Sequence, residues 1–302
     1  MSIAPPDCVL RARDREVRFP RRPMVMGILN INDDSFSGDG TLDPALALDR
    51  ACAMACGGAD ILDVGGESAR TNRGPVSEQA EMDRVLPFLQ GLAARLAPLA
   101  PADPGQFWPP LVSVNTWRPA VAEAALAAGA EILNDISGLP DACNARIAAQ
   151  HGAALVIMHS VGTPKVPHTH VHYPDILAEL DRFFAGKIAL AESAGLSRDA
   201  ILLDPGIDFA KQRADNLRIY RELDRLHRFA RPILLPVSRK TVIGEVLGIP
   251  TPADRDAGTA ACIVRGCLAG AAIFRVHNVA MAAQAIRITH AVETLQFTEH
   301  QP

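Results

Sequence analysis

Asp204 closes the apolar run AILLD, and a carboxylate there can accept two parallel bonds from the N–H and NH2 edge of an amidine-like group. Asn115 closes LVSVN and Asn134 stands at the end of EILND beside Asp135, and both amides can bond ring nitrogens. These three side chains suit a flat, polar heterocycle. A second group is rich in donors. Arg275 and His277 end AAIFRVH and Asn30 ends MVMGILN, which brings donors and one metal-compatible oxygen to a phosphate group. Lys240, in Ser238-Arg239-Lys240 just past PILLPV, could serve either group, while Asp63 and the pair Met158 and His159 end two further runs. For any single Asn, Asp or Ser the alternative is a cap for the following helix. Capping does not account for the set, because Lys240, Arg275 and His277 are poor caps.

These residues share a position: each ends a short apolar run. There are eight such runs, MVMGILN (24–30), ADILDV (59–64), LVSVN (111–115), EILND (131–135), AALVIMH (153–159), AILLD (200–204), PILLPV (232–237) and AAIFRVH (271–277). Between them lie Ala- and Leu-rich segments with helical spacing, such as PALALDRACAMACGG and PDILAELDRFFAGKIALAESAG, several closed by Gly. Continuous apolar character in the strands predicts burial on both faces, hence a parallel sheet covered by helices. Eight strand–helix units in 302 residues predict a single-domain α/β fold, a (β/α)8 barrel, with an open doubly wound sheet as the alternative. In such a barrel the active site is built at the C-terminal strand ends, where the polar residues stand. Residues 1–22 read as an N-terminal extension, 23–296 as the barrel and 297–302 as a tail, with the Pro-rich stretch 97–110 as a loop.

A net charge of −4 excludes an overall basic field for nucleic acid or an anionic membrane, so any anion must be caught locally. No apolar stretch reaches the ~20 residues that span a bilayer, and the charged start RARDREVRFPRR lacks the apolar centre of a signal peptide. A cytoplasmic protein is expected. The six cysteines form no Cys-x-x-Cys pair and predict buried free thiols. His168, His170 and His172 alternate as metal ligands on a strand would, but they lie in a Pro-flanked segment after the fifth strand, where a solvated loop is expected. A helical face near 259–272 suits either core or a dimer contact.

In order along the chain, GILNINDDSF (27–36), DVGGESAR (63–70), SVNT (113–116), NDISG (134–138), LLDPGIDFAK (202–211), SRK (238–240) and RVHNV (275–279) resemble the successive motifs of the dihydropteroate synthase family. The resemblance runs from about residue 24 to 290. It implies a pterin-binding barrel in which dihydropterin pyrophosphate and p-aminobenzoate condense to dihydropteroate. By resemblance, Asp63, Asn115, Asn134, Met158, Asp204, Phe209 and Lys240 would hold the pterin, and Asn30, Arg275 and His277 the Mg2+-bound pyrophosphate, with Asn30 on the metal. Phe36, Arg70 and Ser238 would form the aminobenzoate site, and Asn30, Phe36, Arg70 and Lys240 would stand at the reacting centre. A homodimer with no nucleic-acid or membrane partner is implied.

The chain departs from that pattern at four places: Asn115 where Asp is usual, Asn32-Asp33 where Thr-Pro is usual, Ala69-Arg70-Thr71-Asn72 where Thr-Arg-Pro-Gly is usual, and Pro236 where Gly is common. Losing the charge at 115 weakens stabilisation of a pterin cation while keeping an oxygen acceptor. The alternative expectation is a pterin-binding protein, or a pterin-dependent transferase of methyltransferase type, with a different acceptor.

Overall fold

The computed structural model describes residues 6–32, 40–68 and 74–295. The charged N-terminal run folds as an antiparallel hairpin, β1 (Cys8–Ala12) and β2 (Arg15–Phe19), turning at Arg13 and Asp14. Its charges hide a period of two. Leu10, Ala12, Val17 and Phe19 are buried on one face while Arg11 and Arg18 point to solvent. The segment set apart from the barrel by sequence is thereby a cover for the barrel's N-terminal end.

Eight parallel strands follow: β3 (Met24–Asn30), β4 (Ile61–Gly65), β5 (Leu111–Asn115), β6 (Ile132–Asp135), β7 (Ala154–Met158), β8 (Ile201–Asp204), β9 (Leu234–Pro236) and β10 (Ile273–Val276). Each pairs with the next in sequence from β3 to β8, and β3 pairs also with β10, which pairs with β9. A bridge between Leu203 and Ile233, with the Leu203 N–H donating to the Pro232 carbonyl at 3.1 Å, closes β8 on β9. The open-sheet alternative is thus excluded. The helices are α1 (Pro44–Cys56), α2 (Glu78–Leu96), α3 (Pro119–Ala127), α4 (Cys143–Gln150), α5 (Ile176–Ser193), α6 (Arg213–Arg221), α7 (Thr241–Leu247), α8 (Asp256–Leu268) and α9 (Val279–Thr294), with two of them after β9. Asp43, Ser77 and Asp175 cap α1, α2 and α5 by accepting N–H groups of the first turn. None of these helices is long and apolar enough to cross a membrane.

Alternation along each strand sorts the side chains into two environments. Outward residues such as Val25, Leu62, Val114, Leu133, Leu155, Leu203, Leu235 and Phe274 pack beneath the helices. Inward residues near the strand starts, Met24, Met26, Ile61, Leu111, Ile132, Val156, Leu202, Leu234 and Ile273, fill the lower barrel and meet the hairpin's Leu10, Val17 and Phe19. The Pro-rich stretch 97–110 is a loop at the same end, where Gln106 donates to the carbonyls of Ala55 and Ala59 at 2.9 and 2.7 Å. The cysteines differ from expectation in burial. All six are free thiols, but Cys56 is exposed and the others are only half-buried; Cys52, Cys56, Cys262 and Cys267 lie on α1 and α8 beside, not among, the residues those helices bury. In the 259–272 stretch, Thr259, Ile263 and Gly266 face the core and Val264 faces solvent, so that segment serves both inside and outside.

Leu10 is fully buried between the hairpin and the barrel base, and Leu10→Ala should lower unfolding free energy by about 2–5 kcal/mol through lost transfer energy and a cavity. Urea unfolding of both proteins measures it, and a loss below about 1 kcal/mol would show that the hairpin is not part of the folding unit.

Candidate active site

Above the apolar base, the inward positions change character. The next inward side chains after Ile61, Leu111, Ile132 and Ile273 are buried Asp63, Ser113 and Asn134 and half-buried Arg275, and they form a polar layer. The Asp63 carboxylate, with no exposure, accepts from Ser113 Oγ at 2.5 Å, Asn134 Nδ2 at 3.1 Å and Arg275 Nε at 2.7 Å. A buried carboxylate is tolerated only with such partners. Asp63 is not among the residues that line the cavity and lies beneath those that do. What it does is aim two others. Asn134, which lines the cavity, commits Nδ2 to Asp63, and its buried Oδ1 has no protein partner among the described residues.

The cavity at the C-terminal mouth has a volume of about 450 Å³, the size of a small-molecule site. Asn30, Asn115, Asn134, Met158, Asp204, Phe209, Ser238, Lys240, Arg275 and His277 all line it, from seven of the eight strands or the loops that follow them. Pro236 lines it too, as the last residue of β9. Phe36 and Arg70 lie outside the described residues, as do Asp33, Ala69, Thr71 and Asn72. Two residues at strand ends point away. Asp135 accepts from Ser137 and from Asn144 Nδ2, and His159 is buried between Tyr173 and Phe183. Parity separates them from their neighbours Asn134 and Met158.

At β10 the donor pair Arg275 and His277 is held in place. Ser238 Oγ accepts the His277 backbone N–H at 3.1 Å and lies 2.8 Å from His277 Nδ1. With the hydroxyl hydrogen directed to Nδ1, the ring hydrogen sits on Nε2 as a donor. Arg275, two residues earlier on the same strand face, brings a guanidinium to the same wall.

Burial dominates the electrostatics on the opposite side. It pushes the Asp204 carboxyl up to about 6, against the N–H of Gly206 at 2.7 Å and the charges of Lys240 and Lys211. It pulls Lys211 down to about 7 and His159 down to about 2, the latter helped by Lys211. Lys211 Nζ donates to His159 Nδ1 at 2.8 Å and to the carbonyls of Gly206 and Phe209 at 2.9 and 3.0 Å, so its hydrogens tie the β8 loop to the end of β7. Gly206 makes the turn possible: its φ is +67°, and a Cβ there would lie 2.0 Å from the His159 carbonyl oxygen.

Sequence reasoning passed over Lys211, although it lies inside LLDPGIDFAK, because a lysine seven residues past a strand end carries no spacing signal of its own. It also passed over a network at the rim. Glu67 is paired with Lys165 at 3.0 Å and with Arg118, which also pairs with Glu81, linking the loops after β4, β5 and β7. The histidine segment is a loop, as expected, but only His170 and His172 are exposed; His168 lines the cavity with Lys165. Among the described residues no cluster of three or more His, Cys, Asp or Glu could hold a metal.

The fold and this mouth define a (β/α)8 enzyme whose cavity offers hydrogen-bond acceptors for a heterocycle on one side and an anion-binding pair on the other. Residues 26–277 match the family described as pterin binding enzyme. The dihydropteroate synthase of Escherichia coli (strain K12) is 37% identical over 270 residues, covering 89% of this chain and 91% of that protein. That of Synechocystis is 38% identical over 276 residues, covering 90% and 91%. The Yersinia pestis dihydropteroate synthase in a sulfonamide drug complex superposes with a TM-score of 0.85 at 36% identity, covering 95% of this chain and 100% of that chain. The Xanthomonas albilineans enzyme in complex with 7,8-dihydropteroate gives 0.79 at 35% identity, covering 94% and 99%. The chain belongs to the dihydropteroate synthase family of pterin-binding transferases.

Asp63→Ala leaves Arg275, Asn134 and Ser113 without their shared acceptor in a largely buried layer, and should cost about 3 kcal/mol of stability in urea unfolding. A change under about 1 kcal/mol would mean that the polar layer is solvated and does not depend on this carboxylate.

Proposed function

We propose that this chain condenses 6-hydroxymethyl-7,8-dihydropterin pyrophosphate with p-aminobenzoate, releasing pyrophosphate and forming 7,8-dihydropteroate. The observation that carries the assignment is the convergence in one cavity of Asp204 and Asn134, whose carbonyl oxygen is unpartnered, on one side with Arg275 and His277 on the other. Asp204 accepts the paired N–H and NH2 edge of the pterin, and Asn134 Oδ1 accepts a ring N–H. Asn115 adds an amide, Met158 and Phe209 supply apolar walls, and Lys240 donates to a pterin oxygen. Arg275 and the Nε2–H of His277 take the pyrophosphate.

The C–O bond to pyrophosphate breaks with its electron pair leaving on the phosphate oxygen, and the amine lone pair of p-aminobenzoate forms the new C–N bond before the nitrogen loses a proton. No protein nucleophile is required. The protein's part is to stabilise charge on the leaving group and hold the leaving oxygen, the methylene carbon and the amine nitrogen in line. Asn30 fits Mg2+ in the manner of sites that hold this ion by one protein oxygen plus substrate phosphates and water. When bound, the ion neutralises charge on the pyrophosphate. Ser238 forms the aminobenzoate floor, where the assignment also places Phe36 and Arg70.

We further assign a homodimer and a cytoplasmic location. Leu217 on α6, Val246 and Leu247 on α7 and Val264 on α8 are exposed aliphatic side chains on three helices packed against one another, a surface suited to a second copy. Six unpaired thiols fit a reducing compartment. Sedimentation equilibrium should return twice the chain mass for the wild type and a monomer for Leu247→Glu; a wild-type monomer removes the dimer.

The purified chain should make dihydropteroate only when both substrates are present, as read by a coupled assay. Tight pterin binding without product would move the acceptor to another amine or nucleophile. The acceptor role of Asp204 has a pH signature. Below its value of about 6 the carboxyl carries a hydrogen where the pterin needs a lone pair, so ionisation favours binding. Pterin affinity should therefore rise as pH climbs through 6, by up to about tenfold per unit below that value, and level off above it. Calorimetry from pH 5 to 8 reads the limb, which Asp204→Asn should flatten while weakening binding by about 2–4 kcal/mol at pH 8. A limb that survives in Asp204→Asn belongs to another group and removes Asp204 from the pterin site.

A further inference from the structure

Lys240 precedes α7 in a turn that is costly for the chain to adopt. Its neighbour Arg239 has φ +57°, and Asp208, on the facing loop after β8, has φ +68°, both in the left-handed region that disfavours side chains. Such strain persists where the surroundings over-determine it. Here the turn is clamped from two sides. The Asp208 carboxylate accepts the N–H groups of Thr241 and of Val242, the latter at 3.3 Å, so the two peptide groups that follow Lys240 hang on it. Asp208 is itself pinned by buried Asn216 of α6, whose Oδ1 accepts the Asp208 N–H at 2.9 Å and whose Nδ2 donates back to Asp208 Oδ1 at 3.2 Å. From the other side buried Arg255 donates Nη1 to the carbonyls of Arg239 and Lys240 at 3.0 and 3.2 Å. Meanwhile Lys240 Nζ donates to the Ile207 carbonyl at 2.7 Å and sits 5.0 Å from the centroid of Phe209. Residues 207–209 thus hold both the backbone and the ammonium of Lys240.

We infer that Asp208 is a positioning residue for the pterin site, whose carboxylate, by holding the N–H groups of Thr241 and Val242, fixes the turn that carries the Lys240 side chain. The inference rests on the assignment of Lys240 to that site. The other charged groups near Lys240 are Asp204 at the end of β8, Lys211 on the same loop and Arg275 on β10, while Arg239 is paired with Asp256 at 2.8 Å and Arg255 with carbonyls. Burial is the largest influence and lowers the Lys240 titration; Asp208 opposes it most, ahead of Asp204, and Arg275 adds to the fall. Without Asp208 the buried ammonium loses its main counter-charge.

Three variants test this: Asp208→Gly, Asp208→Asn and Lys240→Met. Glycine suits a φ of +68°, so Asp208→Gly keeps the loop conformation while removing the clamp. The readouts are the Lys240 ammonium titration by NMR in protein with labelled lysine, identified by its loss in Lys240→Met, and calorimetric binding of the pterin pyrophosphate. Both Asp208 variants should shift the Lys240 titration to lower pH and weaken pterin pyrophosphate about tenfold, as expected for one lost charge-assisted contact. A purely structural role would lower the thermal midpoint and leave the titration in place, which overturns the inference. Unchanged titration and affinity in the Asp208 variants, with binding weakened in Lys240→Met, overturns it while sparing the place of Lys240. Wild-type binding by Lys240→Met removes Lys240 from the pterin site and the inference with it. Should Asp208→Asn fail to fold, Asp208→Gly decides.

Discussion

A single carboxylate, fully withdrawn from water in the middle of the barrel, organises the upper half of this protein. Asp63 reaches β5, β6 and β10 through Ser113, Asn134 and Arg275, so one charge orients side chains on three other strands. An isolated ion there would be prohibitively costly, and the arrangement is stable only because each oxygen has partners. The cost of burial becomes directional order. An amide that might rotate is fixed by its nitrogen, and a guanidinium that might wander is held at its Nε. Rigid placement of this kind matters for a reaction in which the protein contributes charge and alignment rather than a nucleophile.

Below that layer the barrel is ordinary apolar core, and the two halves divide the labour. The hairpin seals the lower end with Leu10, Val17 and Phe19 against Met24, Met26 and Ile61. The upper end holds Asp204, Lys211 and Lys240 within or beneath the cavity wall, all pulled toward their neutral forms by burial. A ligand that brings complementary hydrogen bonds relieves part of that cost on binding. The site is thus less settled when empty than the base on which it stands, as is common where function and stability compete.

The β8 loop shows how local backbone and long-range charge act together. Gly206 allows the turn to press against the His159 carbonyl, Lys211 ties that turn to β7, and Asp208 ties it to α7. Three residues within six positions therefore connect three barrel units, and the cavity wall formed by Phe209 follows from their geometry.

Much of this was legible in the order of residues alone. The eight apolar runs coincide with the eight barrel strands to within two residues at either end, because a strand buried on both faces must be apolar throughout, and that demand is local. The polar residues ending those runs mark the mouth for the same reason. The hairpin was hidden because its charges lie on the solvent face, where composition is loud and the buried alternation of Leu10, Ala12, Val17 and Phe19 is quiet. The sequence alone determined which strand ends carry chemistry. Only the tertiary structure decided that Asn134 faces inward while Asp135 turns to Ser137 and Asn144, that Asp63 lies beneath the cavity lining, and that Lys211, Glu67 and Lys165 join it. Those outcomes depend on strand parity, on depth within a closed ring, and on which loops meet across the mouth. Such relations are set between residues far apart in the chain, so no single stretch of it records them.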